Sequence, residues 1–437
     1  MDLPLPVRLL ALWDHLGLGA AHVATQMPAD LAGFANAAAD RVAGLVFCTP
    51  TRLDPAPFAD LAGRILMIAG EHGLNAEVTA RAEQRLPGAR RMILAGYDAP
   101  GWADVVADRT DEIAASMEEF FARTQAVDPP RPPSRSGAHA GITYAIEGHG
   151  PALVLLPFFL APSQWAPAIP RLARRFTVIT LSGPHIGGVA ALEDRARAPT
   201  YRAMVRTLFD LIVPVPGETI LDVGCGSGAL DRMLAARFGA ANPITATDVN
   251  PFLLGEAAQL AAAAGLADAI TFRRADAETL PFPDDTFGCA YTVTVLEECD
   301  ADQALRELRR VVRPGGRVGV VVRAIDLPQW WNLPLPDGLR EKAETPPQSV
   351  ATRGVADAGL YRRMRDAGFS DLTCFPALVT LDRHEGPIWR YREDHVLSLL
   401  SPDETATWAT LTNAARRDGL LLTAHAMHCA VGVKPAD

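Results

Sequence analysis

Gly224, Gly226 and Gly228 follow an apolar run, 219–223, and precede a helical stretch that starts near Ala229. Three glycines at alternate positions strip away the side chains that would keep a ligand off the backbone, and the helix beyond them offers unpaired N–H groups. The chemistry this suits is the cradling of a nucleotide. About 20 residues further on, Asp248 closes the next apolar run, where a carboxylate can accept hydrogen bonds from both hydroxyls of a ribose. Dinucleotide-binding folds share the glycine turn and dehydrogenases share the acid, so these residues alone leave the ligand open.

Such a turn and such an acid must sit at the ends of parallel strands. The residues that follow supply them: strands at 243–247 and 269–274, the second ending at Asp276-Ala277, then Leu280-Pro281-Phe282-Pro283-Asp284-Asp285-Thr286-Phe287 and a fourth apolar strand. An amphipathic helix at 301–312 and the turn Arg313-Pro314-Gly315-Gly316-Arg317 lead into a fifth strand, 318–324. This succession resembles the class I S-adenosylmethionine-dependent methyltransferases, most closely their ubiquinone-biosynthesis-like small-molecule branch. The resemblance covers residues 196–437 and implies an α/β, seven-stranded Rossmann-like fold with S-adenosylmethionine as cofactor. It further implies that Asp222, Gly224, Gly226 and Gly228 line the methionine end, that Asp248 holds the ribose, that Asp276 and Ala277 meet the adenine, that Thr292 sits beside the sulfonium, and that Cys225, Val249 and Asn250 also bind the cofactor. Turn residues closing strands are the plain alternative for Asp248 and Asp276.

Two insertions bear on the acceptor. Residues 325–352 begin too proline-rich for a helix and too apolar for an idle loop, and carry Trp330 and Trp331; residues 382–423 carry His384, Trp389, Tyr391 and His395. Both are expected at the carboxyl edge of the sheet, where open α/β folds bind ligands. Two apolar, aromatic lids imply a hydrophobic or aromatic small molecule, with Trp330, Trp331 and Trp389 as its contacts. The alternative is that these indoles pack the lids. Methyl transfer needs a protein base only when the acceptor is not already ionised. Glu298, His384 and Tyr201 are the candidates, with Glu297 and Tyr361 also in range. Glu298 stands where this branch commonly has histidine after Val-Leu-Glu, so no family base carries over.

Residues 1–195 read differently. Short buried strands at 21–24, 42–48, 64–70 and 91–94, a helix at 110–123, then strands at 142–147, 153–157 and 177–181 predict a parallel sheet covered on both faces. Residues 1–126 resemble the carboxyl half of the α/β-hydrolase family and 139–195 its amino half, in inverted order, with a proline-rich linker at 127–138 between them. A circularly permuted order places both in one sheet; exchange between two chains does so equally well. Catalysis by this lobe is not expected. Ala24-Thr25-Gln26-Met27-Pro28 stands where the nucleophile elbow needs Gly-x-Ser-x-Gly, the acid falls on Gly73 and the histidine on Asp98. The lobe then serves dimerisation or covers the active site.

A net charge of −10 argues against a nucleic-acid partner, which favours a basic face. No long apolar run interrupts the 437 residues, so neither a membrane partner nor a signal peptide is expected, and the location is cytoplasmic. The six cysteines make no Cys-x-x-Cys pair, which points to reduced thiols and no metal. Two other functions remain: a sulfonium-binding scaffold without turnover, and a bifunctional hydrolase-methyltransferase.

Overall fold

The computed structural model describes residues 3–98, 104–124, 127–183, 186–348, 350–384 and 387–436. The chain divides into two compact units, Met1–Ala191 and Leu192–Asp437. The expected boundary at 195/196 lies four residues further on, inside the helix Gly187–Arg197.

In the first unit eight strands form one sheet: β1 (Ala21–Thr25), β2 (Val42–Cys48), β3 (Ile65–Gly70), β4 (Arg90–Leu94), β5 (Ser136–His139), β6 (Ile142–Gly148), β7 (Ala152–Leu155) and β8 (Thr177–Ser182). Their spatial order is β4-β3-β2-β1-β7-β8-β6-β5. Every residue of β1, β2, β3 and β7 is buried, as befits parallel strands with a core on each face. Successive residues feed opposite cores: Val23 and Leu45 pack with Leu9 and Phe34, whereas Ala24 and Val46 pack with Ile113 and Met117. The sheet is mixed rather than wholly parallel, because β6 runs antiparallel to β8 and β5 antiparallel to β6. The predicted linker is also no free tether. Its residues Ser136 to Ala138 belong to β5, Arg131 N–H donates to Leu16 O at 3.1 Å, and Val127 is buried.

Residues on either side of that segment meet where β1 pairs with β7, His22 opposite Leu153 and Ala24 opposite Leu155. A protease site engineered at Ser134-Arg135 therefore cuts the chain without freeing the pieces, since parting them exposes strand edges and both cores to water. The cut protein is expected to elute at its uncut volume with one cooperative melt. Separate, individually folded fragments on size exclusion would contradict this.

The second unit holds β9 (Ile220–Val223), β10 (Ile244–Asp248), β11 (Ile270–Arg274), β12 (Phe287–Val293), β13 (Val312–Arg323), the two-residue β14 (Trp330–Trp331), β15 (Ser370–Leu381) and β16 (Thr423–Val433). The order is β11-β10-β9-β12-β13-β16, with β15 antiparallel on the far side of β16. Because β15 already occupies one side of Thr423 and Ala424, β14 pairs with those residues from the β13 side. Among the described residues the sheet therefore has eight strands, one more than expected, because the short β14 extends the row of β13. Alternate residues again serve two cores, Ile220 and Tyr291 in one, Leu221 and Ala290 in the other. The chain leaves β9 first toward β10 and later returns to β12 on its other side, so the switch point lies at the carboxyl end of β9.

Candidate active site

The glycine turn lies at that switch point. Gly224 and Cys225 both donate to Thr247 O at 2.8 Å, which folds the turn against β10. Gly224 has φ 81°, and a Cβ there would stand 2.1 Å from Val295 Cγ2, so only glycine fits. Gly226 N–H donates to Asp248 Oδ2 at 3.0 Å and Asn250 N–H to its Oδ1 at 3.0 Å. The carboxylate and the turn are therefore one hydrogen-bonded unit. Burial pushes the Asp248 carboxyl upward, and the backbone N–H groups of Asn250 and Gly226 oppose that shift by stabilising the charged form.

The other nucleotide candidates divide. Val249 is exposed at the same edge. Asn250 is buried and its Oδ1 accepts from Phe252 N–H and Leu253 N–H at 3.0 and 2.9 Å, so its side chain caps helix Pro251–Ala263. Asp276 is exposed and takes Glu278 N–H at 2.9 Å in a local turn, with Ala277 half-buried beside it. Thr292 does not reach an open surface: it is fully buried and its hydroxyl donates to Val223 O at 2.8 Å, tying β12 to β9. The accessible residue is Thr294, just past the end of β12, half-buried at φ 59°. Cys225 is buried, which pushes its thiol well up and keeps it unreactive.

Beneath the turn lies a buried acid pair. Asp222 and Asp231 are 2% and 0% exposed, and Tyr291 Oη donates to Asp231 Oδ1 at 2.9 Å. Loss of water, and for Asp222 the neighbouring Asp231, raises both carboxyls; Asp231 is pushed up to about 6. A raised acid in the folded state means the native protein holds protons that the unfolded chain has released. Stability is then greatest below the ordinary value, 3.8, and falls as pH rises through about 6. Asp231→Asn keeps an acceptor for Tyr291 and removes the penalty. The variant is expected to melt higher than the parent at pH 8 and equal to it near pH 4; a melting difference independent of pH would refute the pairing.

Sequence reasoning missed the residues that brace this turn. Glu193 Oε1 accepts from Ser227 Oγ at 2.6 Å, and Arg232 Nη2 donates to its Oε1 and Oε2 at 2.6 and 2.7 Å. Leu192 Cδ1 stands 3.0 Å from where a Gly226 Cβ would be. The available signal was a charged helix just before the domain, whose partners lie more than thirty positions away.

The base and acceptor candidates are also redistributed. Tyr201 is buried, its hydroxyl held protonated by burial, with the Arg195 guanidinium 5.2 Å from its ring centroid. Glu298 is about half exposed and stands 3.9 Å from Arg323 Nη2. Glu297 is the enclosed one, raised by burial, and its Oε1 accepts from Arg323 N–H at 2.7 Å. His384 bonds Leu421 O and stacks edge-on against Trp389 at 4.9 Å, so it ties the lid together instead of facing a reactant. Trp331 and Trp389 likewise correct the expectation of acceptor contact. With Trp408 they form the lids' own core, centroids 5.5 and 4.9 Å from Trp331. Their indole N–H groups are spent on Ala343 O and Glu393 Oε2, both at 3.0 Å. Burial of apolar area wins because the helices Asp337–Glu344, Pro387–Leu399 and Pro402–Arg417 have no other core. Trp330 alone is open, 47% exposed along a groove with Leu333, Leu411 and Leu420.

At the carboxyl end of β1 in the first unit, Gln26 is 4% exposed. Its Nε2 donates to Thr49 Oγ1 at 3.3 Å and its Oε1 accepts from Phe159 N–H at 2.9 Å. The amide thus consumes the backbone donor of the 156–159 loop. Among the described residues no helix is long and apolar enough to cross a membrane, and no group of three His, Cys, Asp or Glu could hold a metal ion. The cysteines are free: Cys374 is exposed, Cys299 half-buried and the rest buried.

Residues 220–316 match the family described as "Methyltransferase domain". The ubiquinone/menaquinone biosynthesis C-methyltransferase UbiE of Hahella chejuensis is 38% identical over 106 residues, 24% of this chain and 43% of that protein. Methyltransferase GfsG of Streptomyces halstedii is 35% identical over 118 residues, 27% of this chain and 42% of that protein. The chain thus spans less than half the length of these relatives. Among solved structures, the YcgJ protein from Bacillus subtilis superposes on 54% of this chain and 100% of its own, with 18% identity and a TM-score of 0.38. The matched segment, 220–316, holds the glycine turn, Asp248 and Asp276, and the match supports S-adenosylmethionine as cofactor.

Proposed function

We propose that this chain is an S-adenosylmethionine-dependent methyltransferase acting on a hydrophobic or aromatic small molecule. The observation that carries the reading is the Asp248 carboxylate bound to the Gly226 N–H at the sheet's switch point, inside the matched segment. When bound, the cofactor supplies an electrophilic methyl group. The chain's part is to hold and orient. Asp248 is fixed by two backbone donors so that its outer lone pairs are presented to ribose hydroxyls. The open backbone of 224–228 takes the methionine end above the Asp222–Asp231 pair. Val249, and Asp276 with Ala277, border the adenine. Glu297, enclosed and raised by burial, is the proton acceptor in this reading, with the half-exposed Glu298 as the alternative. Carbon as the methylated atom has the support of relatives named as C-methyltransferases.

The test is calorimetric titration with S-adenosylmethionine, followed by incubation with a metabolite extract and mass spectrometry for products heavier by one methylene. Saturable binding with a methylated product is expected. Binding without any product would instead identify a sulfonium-binding scaffold.

For the first unit we propose a degenerate α/β-hydrolase-like lobe in circularly permuted order. Support comes from the sheet order, in which 136–182 build one edge and 21–94 the other, joined at β7–β1. Gln26 in the elbow position supports loss of catalysis, because an amide is no nucleophile and this one occupies the nearby backbone donor. The purified protein is expected to leave short p-nitrophenyl esters uncleaved. Turnover abolished by a serine-directed phosphonate would reverse this reading. A role in pairing two copies predicts a dimeric native mass.

A further inference from the structure

Where β13 ends and β16 begins, the second unit gathers Arg195, Arg323 and Arg392, and among the described residues only Arg323 of the three is ion-paired to carboxylates. Arg392, on the lid helix Pro387–Leu399, is 6% exposed. Its Nη1 reaches Gln329 Oε1 at only 3.4 Å and its guanidinium stands 5.7 Å from the Tyr391 centroid; among the described residues no carboxylate pairs with it. Burial lowers its pKa to about 10, and the nearby Arg323 and Arg195 push the same way. His425, on β16 and 8% exposed, lines the same narrow cavity with its Nδ1 lacking any hydrogen-bond partner. Burial, with Arg392 and Arg195 nearby, lowers its pKa and keeps it neutral.

Arg323 and Gln329 complete the polar lining, and Pro346 and Pro347 line the cavity with them. Arg323 is committed to Glu297 and Glu298, at 3.5 and 3.9 Å. Arg195 donates to Thr294 Oγ1 at 3.1 Å, which links the cluster to the accessible residue just past the end of β12, while its buried Nε has no partner. A buried guanidinium without a counter-ion is costly, and an unsatisfied imidazole nitrogen beside it adds to the cost. Both costs vanish if an anion with two coplanar oxygens enters, because the guanidinium fork matches such a group and neutral His425 can donate to it.

We propose that Arg392 and His425, backed by Arg323, seat a carboxylate of the methyl acceptor, so that the acceptor is an organic acid held by its anionic end. This deepens, and rests on, the methyltransferase reading. Ile325, Leu327, Pro346 and Pro347 are the apolar groups beside this seat, and the carboxylate is the anchor, not the methylated atom.

The test compares benzoate, methyl benzoate and inorganic phosphate on the full chain by calorimetry and thermal melting, with and without S-adenosylhomocysteine. Benzoate is expected to bind at least tenfold tighter than its ester and to raise Tm more than phosphate does. Arg392→Met should abolish that preference and, by removing an uncompensated charge, raise the resting Tm by roughly 3 °C. Arg392→Lys should keep part of the preference. Equal affinity for acid and ester, no binding of either, or a lower Tm in Arg392→Met with the preference intact overturns the seat. Stabilisation by phosphate alone overturns the carboxylate class. Affinity for S-adenosylmethionine is titrated separately on each protein. Its absence in the parent sinks the methyltransferase reading, whereas its presence without an acid preference sinks only the seat.

Discussion

Asp248→Ala is expected to weaken S-adenosylmethionine binding by about 2 to 4 kcal/mol, roughly 30- to 800-fold in Kd. Two losses add. The ribose hydroxyls lose a charged acceptor, and the N–H groups of Gly226 and Asn250 lose the oxygens that hold the glycine turn against β10. Asp248→Asn separates these losses, since an amide keeps one acceptor oxygen but no charge, and its Kd should fall between parent and alanine variant. Calorimetric titration decides it. A Kd within twofold of the parent in Asp248→Ala would remove this residue from the site and with it the core of the assignment.

Gly224→Ala should be comparably severe for a steric reason. At φ 81° an L-side chain is strained, and its Cβ would lie 2.1 Å from Val295 Cγ2, far inside contact distance. Either Val295 and the end of β12 move or the turn does. Strain and overpacking together cost about 2 to 5 kcal/mol, so cofactor affinity should drop by more than tenfold and Tm by several degrees. Val295→Ala is the control: in its background the alanine at 224 has room, and part of the loss should be recovered. A double variant no better than Gly224→Ala alone would show that strain, and not the Val295 contact, sets the cost.

Much of the site was legible because its parts are local. The 219–228 stretch needs only its own glycines to announce a turn, and Asp248 lies one strand and one helix beyond it, a separation that the fold itself sets. The buried strands of both units were legible for the same reason: runs such as 42–48 and 318–322 carry no charged or polar side chain, which parallel sheets with two covered faces require. Errors arose where a residue's environment depends on distant chain. Trp331 and Trp389 have the same composition signal whether they wall a pocket or fill a lid; Trp408 and the helix Asp337–Glu344, at other points in the chain, decided for the lid. Thr292 reads as a strand-end residue, yet β12 continues to Val293, and its hydroxyl is spent on β9.

The sequence alone specified a glycine turn, an acid closing the next strand and two apolar sheets, because spacing along one strand–turn–helix unit is enough to mark them. Only the tertiary structure decided which charges share a buried space. Arg195, Arg323, Arg392 and His425 come from four separate elements spread over 230 residues, and no local pattern marks them as neighbours. Their proximity is set by how helix Gly187–Arg197, the ends of β13 and β16, and the lid pack together. Desolvation and charge pairing act through space, and a linear sequence records distance along the chain only.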